Sequence, residues 1–265
     1  MEIYKELGIS NFLDDNNKFI IPPYINHIRI DVGLAGDACN SQMWLEETND
    51  RFVFGIEPLE IHHQHLKQHN FGERFLLVKG AISNTPSPTK KTFYHLHNTG
   101  ASSFLEPKDK SHLKKKEVVN TFSLEFLLDH IPWDRFEDIE HIKTDCEGTD
   151  YEAIKSIGRY LLRVGAISSE VSLNNLAVFK GLSTDVYSDL MNFLHQNQFA
   201  PDKRYVLDMD SNDRGGFRPG QRGLSRSRRI DFKNQELKFI NQRLRTYYEP
   251  DLTGRSALSN NTIGD

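Results

Sequence analysis

Several functional classes are excluded by what this sequence has little of. Only two cysteines, Cys39 and Cys146, occur in 265 residues, too few for a disulfide scaffold, and a reducing, cytoplasmic setting is expected. No apolar run approaches the roughly 20 residues needed to cross a bilayer, so no membrane span is expected. The opening stretch Met1-Glu-Ile-Tyr-Lys-Glu6 is acidic and lacks an apolar core, unlike a secretory signal. No internal repeat or long low-complexity tract is present. A G-x-G-x-x-G fingerprint is missing too. The run after the first predicted strand is Gly33-Leu-Ala-Gly-Asp37, which argues against a pyrophosphate cradle. A formal net charge of −4 gives no overall pull toward nucleic acid, which is not expected as a partner.

What is present is an alternation of short apolar runs and helical patterns. Strands are predicted over Asn26–Val32, Arg51–Glu57 and Arg74–Ala81, with helices over Asn40–Glu46 and Leu59–His69 between them. Such alternation predicts βαβ units and a mainly parallel sheet, because parallel neighbours need a crossover. It is broken by an insertion over about residues 84–122, where Lys91–Leu96 and Glu117–Phe122 read as the strands of a β-hairpin. The pattern resumes with a helix capped by Ser123, a strand over Glu140–Asp145, and a capping box at Thr149-Asp-Tyr-Glu152. Further strands are expected over Val164–Glu170 and Arg204–Asp208, with a helix over Thr184–Gln196 between them. A strand near Arg228–Phe232 and a helix over Lys233–Tyr248 are expected to close the chain, followed by a polar tail after Leu252. The organisation expected is one domain over residues 1–265. Its core covers about 26–210, and an arginine-rich extension covers about 211–265.

Three carboxylate-bearing or glycine-bearing strand ends carry the chemistry. The first is Ile28-Arg-Ile-Asp-Val-Gly33, followed by Gly36. Open α/β sheets bind ligands outside the carboxyl ends of their strands, and Gly33 permits a tight turn and close approach to backbone there. The second is Glu57, which ends the second strand 26 positions after Asp31; a carboxylate there can accept hydrogen bonds from ribose hydroxyls. The third is Ile142-Lys-Thr-Asp-Cys-Glu-Gly148. Asp145 in it could take a proton, hold a substrate hydroxyl or bind a metal, while Glu147 fits as an acid near a helix start.

Taken in order, Asp31-Val-Gly33, Glu57-Pro58, Ala81-Ile-Ser83, Ala101-Ser-Ser-Phe104 and Ile142–Gly148 resemble the marks of the FkbM family of methyltransferases over roughly residues 26–172. The resemblance implies the class I S-adenosylmethionine-dependent fold: α/β, Rossmann-like and doubly wound, with a mainly parallel seven-stranded sheet. It implies S-adenosylmethionine as cofactor and a hydroxyl of a sugar, glycan or glycoconjugate as acceptor. Asp31, Gly33 and the turn with Leu34 would then face the methionine part of the cofactor, and Glu57 its ribose. Pro58, Ala81 and Ile82 would flank the adenine. Asp145 would stand by the transferring methyl group as the catalytic residue, with His95 and His97 as further candidates for the base. His97 and Ser102 in the insertion are candidate substrate contacts. The turn after Gly33 departs from the family, with Leu34, Ala35 and Asp37 where a small residue, Asn and Gly are usual. An RNA 2′-hydroxyl methyltransferase and a non-catalytic module keeping the fold are the competing readings.

Two basic segments remain. Lys108 to Lys116 reads as a solvated loop, and Arg214 to Arg229 carries six arginines with no acidic residue. Within the latter, Arg218, Arg222 and Arg226 are candidates to hold an anionic acceptor, since Arg binds planar anions bidentately. His62, His63, His65 and His69 crowd one predicted helix without acidic or cysteine partners at ligand spacing. They are read as a solvated helix face, and no metal site is expected.

Overall fold

In a computed structural model, the structure describes residues 2–172, 179–182, 186–201, 234–242 and 244. A short helix α1 (Glu2–Glu6) precedes β1 (His27–Val32), α2 (Cys39–Glu47), β2 (Arg51–Glu57), α3 (Glu60–Leu66) and β3 (Phe75–Lys79). Next come β4 (Ala81–Ile82), β5 (Thr89–Leu96), β6 (Leu113–Phe122) and α4 (Leu124–Leu128). The chain continues through β7 (Ile139–Thr144), α5 (Asp150–Lys155), β8 (Val164–Ser172), α6 (Val186–Gln196), β9 (Phe199–Pro201) and β10 (Asn234–Asn241).

Seven strands form one sheet in the order β3-β2-β1-β7-β8-β10-β9. Its pairings are parallel except those of β10, which runs antiparallel to both β8 and β9. This is the expected Rossmann-like, mainly parallel seven-stranded sheet. β2 carries an apolar run because both of its faces are covered: every residue of it is buried. At their amino ends three strands share one ion cluster. Arg29 on β1 and Arg51 on β2 both chelate the carboxylate of Glu140 on β7. Fixing β1, β2 and β7 there aligns their carboxyl ends, at the point where the strand order runs outward from β1 to β2 on one side and to β7 on the other.

The insertion forms a sheet of its own, in the order β4-β6-β5. β5 and β6 are the expected hairpin. Ala81, expected at the end of the third strand, leaves the main sheet with Ile82, and the two pair with β6 instead.

Two expectations need correction. The stretch predicted as a helix over Lys233–Tyr248 contains strand β10, paired with β8 through seven residues and with β9 through three. Leu237, Ile240 and Leu244 repeat at helical spacing, but a position between two strands satisfies the backbone on both sides and outweighs that local preference. The capping box is not formed. The Thr149 hydroxyl donates to Cys146 O at 3.0 Å, and the Asp150 carboxylate, not that of Glu152, accepts a backbone N–H, from Cys146 at 2.9 Å. Glu152 pairs with Lys155 and Asn84. The Ser123 cap is present, accepting from Phe126 N at 3.0 Å. The strands expected over Arg204–Asp208 and near Arg228–Phe232 lie outside the described residues, as do Arg218, Arg222 and Arg226 and the tail.

Candidate functional site

A cavity opens outside the carboxyl ends of β1, β2 and β7, at the switch point of the sheet, where open α/β folds bind ligands. Gly33, Glu57, Pro58, Ala81, Ile82, Ser102 and Asp145 all line it. Asp31, Leu34 and His97 stand outside its wall. Asp31 is buried beneath, accepting from the Ser41 hydroxyl at 2.7 Å and lying 3.6 Å from the Lys143 ammonium. Leu34 packs with Ala38 and Leu66, and His97 is exposed. His95 is buried and bonded through Nδ1 to Glu117.

Gly33 is required here for a reason other than ligand approach. Its φ is +81°, and a Cβ on it would stand 2.0 Å from the carbonyl oxygen of Asp145. Asp145 N donates to Val32 O at 3.0 Å and Gly33 N to Ile56 O at 3.0 Å. The three strand ends are thereby laced together, and the backbone of the Asp145 loop lies on the first turn. Ala35, two residues on in that turn, has a φ of +52° without being glycine. In this conformation Ala35 N donates to Glu57 Oε2 at 3.0 Å, so the departures at Leu34 and Ala35 still deliver a backbone donor to the strand-two acid.

Glu57 is 3% exposed. Its Oε1 accepts from Leu59 N at 2.9 Å, and its own carbonyl bonds His63 Nε2 at 2.8 Å. Each carboxylate oxygen still has acceptor capacity after its one backbone bond. His62 approaches from α3 with Nδ1 3.1 Å from Glu57 Oε1, and its Nε2 is 2.9 Å from the Thr99 hydroxyl. The solvated-face reading of the histidines is therefore corrected. His65 and His69 are exposed, but His62 and His63 point inward and are 6% and 2% exposed, because the helix packs over the end of β2. Beside Glu57 the wall is apolar. Leu59, Ala81, Phe93 and Phe104 pack together, and the two phenylalanine rings meet edge to face at 5.2 Å. That wall suits a flat aromatic base.

The insertion supplies a strap across the cavity. Ser102 Oγ accepts from Leu96 N at 3.1 Å, and Ser103 Oγ donates to Glu147 O at 2.9 Å. Thr99 ties it to His62 on the other wall. Sequence reasoning missed His62, Thr99 and Lys143 as site residues, although Lys143 stands inside the most specific motif. Its ammonium is 3.2 Å from Asp145 Oδ2 and donates to Gly33 O at 3.4 Å.

Opposite Glu57 three acids converge. Asp145, Glu147 and Glu170 bring carboxylate oxygens within 4.8 Å of one another. Glu170 comes from β8 and carried no sequence signal. Burial, and then the charge of Asp145, push Glu147 up to about 8 and Glu170 up to about 9. Protons held there relieve repulsion within the group; a hard divalent cation would do so as well. Both carboxyl groups keep a proton in the folded protein that they lose near pH 4.5 when unfolded. Stability is therefore expected to fall as pH rises from about 5 to 9. Glu170→Gln should flatten that fall, leaving the variant about 1–2 kcal/mol more stable than the parent at pH 9, roughly 2–8 °C in melting temperature. Melting curves at pH 6 and 9 check it; parallel curves would remove the raised carboxyl.

No family model matches the chain, and no curated protein matches its sequence. Among solved structures it is similar to fibrillarin from Aeropyrum pernix with natively bound S-adenosyl-L-methionine, at 11% identity and a TM-score of 0.43, over 84% of this chain and 70% of that one. It is also similar to methyltransferase FkbM from Methylobacillus flagellatus KT, at 14% identity and a TM-score of 0.38, over 66% of this chain and 40% of that one. A third is a putative rRNA-methylase from Clostridium thermocellum, at 8% identity and a TM-score of 0.42, over 82% and 88%. No helix among the described residues is long and apolar enough to cross a membrane. The fold is Rossmann-like, a mainly parallel seven-stranded sheet with helices, and it rests on the strand order of this chain itself.

Proposed function

We propose that the chain is an S-adenosylmethionine-dependent O-methyltransferase acting on a sugar-type hydroxyl. The observation that carries this reading is that Glu57, at the end of β2, and Asp145, just after β7, wall one cavity at the switch point of the sheet. The residues present fit the cofactor. Glu57 retains acceptor capacity for ribose hydroxyls, and the Leu59–Ala81–Phe93–Phe104 wall suits adenine. The cofactor supplies an electrophilic methyl group. The chain's own residues orient and activate the acceptor, and positioning is the larger part of catalysis in such an in-line displacement. Asp145 receives the hydroxyl proton or anchors the hydroxyl, and Lys143 holds the Asp145 carboxylate from below.

An RNA 2′-hydroxyl remains the second reading for the acceptor. Lys108, Lys110, Lys114, Lys115 and Lys116 are exposed on the insertion, and fibrillarin and the rRNA-methylase stand among the similar structures. A steep fall in activity on RNA with rising salt would favour it over a neutral glycan.

The cofactor reading is tested by calorimetry with S-adenosylhomocysteine. Binding in the micromolar range is expected, and Glu57→Ala should weaken it by about 1.5–3 kcal/mol, the worth of hydrogen bonds to a charged acceptor. Glu57→Gln, which keeps an acceptor for one backbone N–H, serves where alanine costs folding. Equal affinity in parent and variants would end this assignment.

A further inference from the structure

Helix α3 carries His62, His63 and His65, with His69 just past its end, and His62 has a ring nitrogen that makes no hydrogen bond within the protein. His65 and His69 are exposed and 3.5 Å from each other. His63 uses Nε2 on the Glu57 carbonyl. His62 lines the cavity at 6% exposure. Its Nε2 is engaged by the Thr99 hydroxyl at 2.9 Å. Its Nδ1 is buried without a hydrogen-bond partner, although it stands only 3.1 Å from Glu57 Oε1. A buried polar atom left unpaired is costly, of the order of 1–3 kcal/mol, so an arrangement that keeps one at a cavity wall points to a ligand that pairs with it.

The neighbour identifies the chemistry. Glu57 and His62 Nδ1 place a carboxylate and a ring nitrogen side by side, on two residues that line the cavity and are fixed from behind. Ala35 N and Leu59 N hold the carboxylate, and Thr99 holds the ring. Two polar groups about 3 Å apart match the spacing of two hydroxyls on adjacent ring carbons. Thr99 decides which proton the ring offers. If its hydroxyl donates to Nε2, Nδ1 carries hydrogen and donates to the ligand; if it accepts, Nδ1 accepts from the ligand. Either tautomer completes a pair with a hydroxyl.

We propose that His62 is a ligand-binding residue, the second half of a cis-diol site in which Glu57 takes one ribose hydroxyl and His62 Nδ1 the other. This deepens the cofactor reading above and rests on it. It assigns the strap from the insertion a part in cofactor selection, because Thr99 sets the ring that reads the second hydroxyl.

The test uses the full chain and three ligands: S-adenosylhomocysteine and its 2′-deoxy and 3′-deoxy analogues. The parent should bind both deoxy compounds about tenfold or more weakly. His62→Ala should weaken S-adenosylhomocysteine about tenfold and leave the affinity for one deoxy analogue unchanged, so that the variant no longer senses that hydroxyl. Two conservative variants separate the ring nitrogens and stand in if the alanine variant does not fold. His62→Asn keeps a polar group near the place of Nδ1 and should preserve discrimination; His62→Gln keeps one near Nε2 and should lose it. Equal loss for all three ligands would mean that His62 only braces the helix, and no loss would mean that it touches nothing; either overturns the proposal. A parent that binds no S-adenosylhomocysteine overturns the cofactor reading beneath it, a result distinct from binding without hydroxyl discrimination at His62.

Discussion

Gly33→Ala is expected to destabilise the protein by more than about 3 kcal/mol, a fall of roughly 6–12 °C in melting temperature or loss of soluble protein. Two costs add. A φ of +81° is strained for any residue with a Cβ, by about 1 kcal/mol or more. The new Cβ would also stand 2.0 Å from the Asp145 carbonyl oxygen, and that atom belongs to backbone whose own N–H is tied to Val32 O. No side chain can swing aside to relieve the contact. Gly36, three residues on in the same turn, is the control. A Cβ there would find His62 Cδ2 at 3.8 Å, an ordinary contact, and Gly36→Ala should change stability by no more than about 0.5 kcal/mol. Chemical denaturation of both variants measures the contrast. A Gly33→Ala protein as stable as its parent would show that the two strand ends are not in contact.

Asp145→Asn should lower turnover about 10²-fold or more while S-adenosylhomocysteine still binds, because an amide takes no proton. The tertiary structure adds a second expectation, of opposite sign. Burial, and then the charge of Asp145, raise the carboxyls of Glu147, Asp150 and Glu170, so removing that charge relieves repulsion. The variant should melt no lower than its parent, and higher above pH 7. Lost turnover together with retained or raised stability separates a role in the reaction from bracing of the next helix, which would show the reverse. Activity lost to a chelator in the parent and rescued by a divalent ion would instead reassign the three acids to a metal. A stable, fully active Asp145→Asn enzyme would remove Asp145 from the reaction.

The parts legible in the sequence were those set by local pattern. The apolar run Phe52–Ile56 marked β2, because a parallel strand covered on both faces carries few polar side chains, and apolar residues recurring between turn and helix patterns marked β1, β7 and β8. The strand ends then followed, and with them Gly33, Glu57 and Asp145 as neighbours on one crevice, since parallel strands share a carboxyl edge. The hairpin was legible because its two runs fall within a break in the alternation.

Long-range packing decided the rest. Glu170 joins Asp145 and Glu147 only because β8 pairs beside β7, a register that no spacing in the sequence expresses. His62 looked like part of a polar helix face until α3 was laid over the end of β2, which turned two of four histidines inward. β10 reads locally as helix and becomes a strand because β8 and β9 present backbone groups to it on both sides. The residue opposite Gly33 was likewise hidden: the sequence shows that a glycine ends β1, and only the tertiary structure shows that Asp145 backbone fills the space a side chain would need. Sequence determined the parallel strands β1, β2, β7 and β8 and the carboxyl ends that carry Gly33, Glu57 and Asp145, because those depend on neighbours along the chain. The tertiary structure decided which acids share charge, which histidine faces the cavity and which glycine admits no side chain, because those depend on groups brought together from distant parts of the chain.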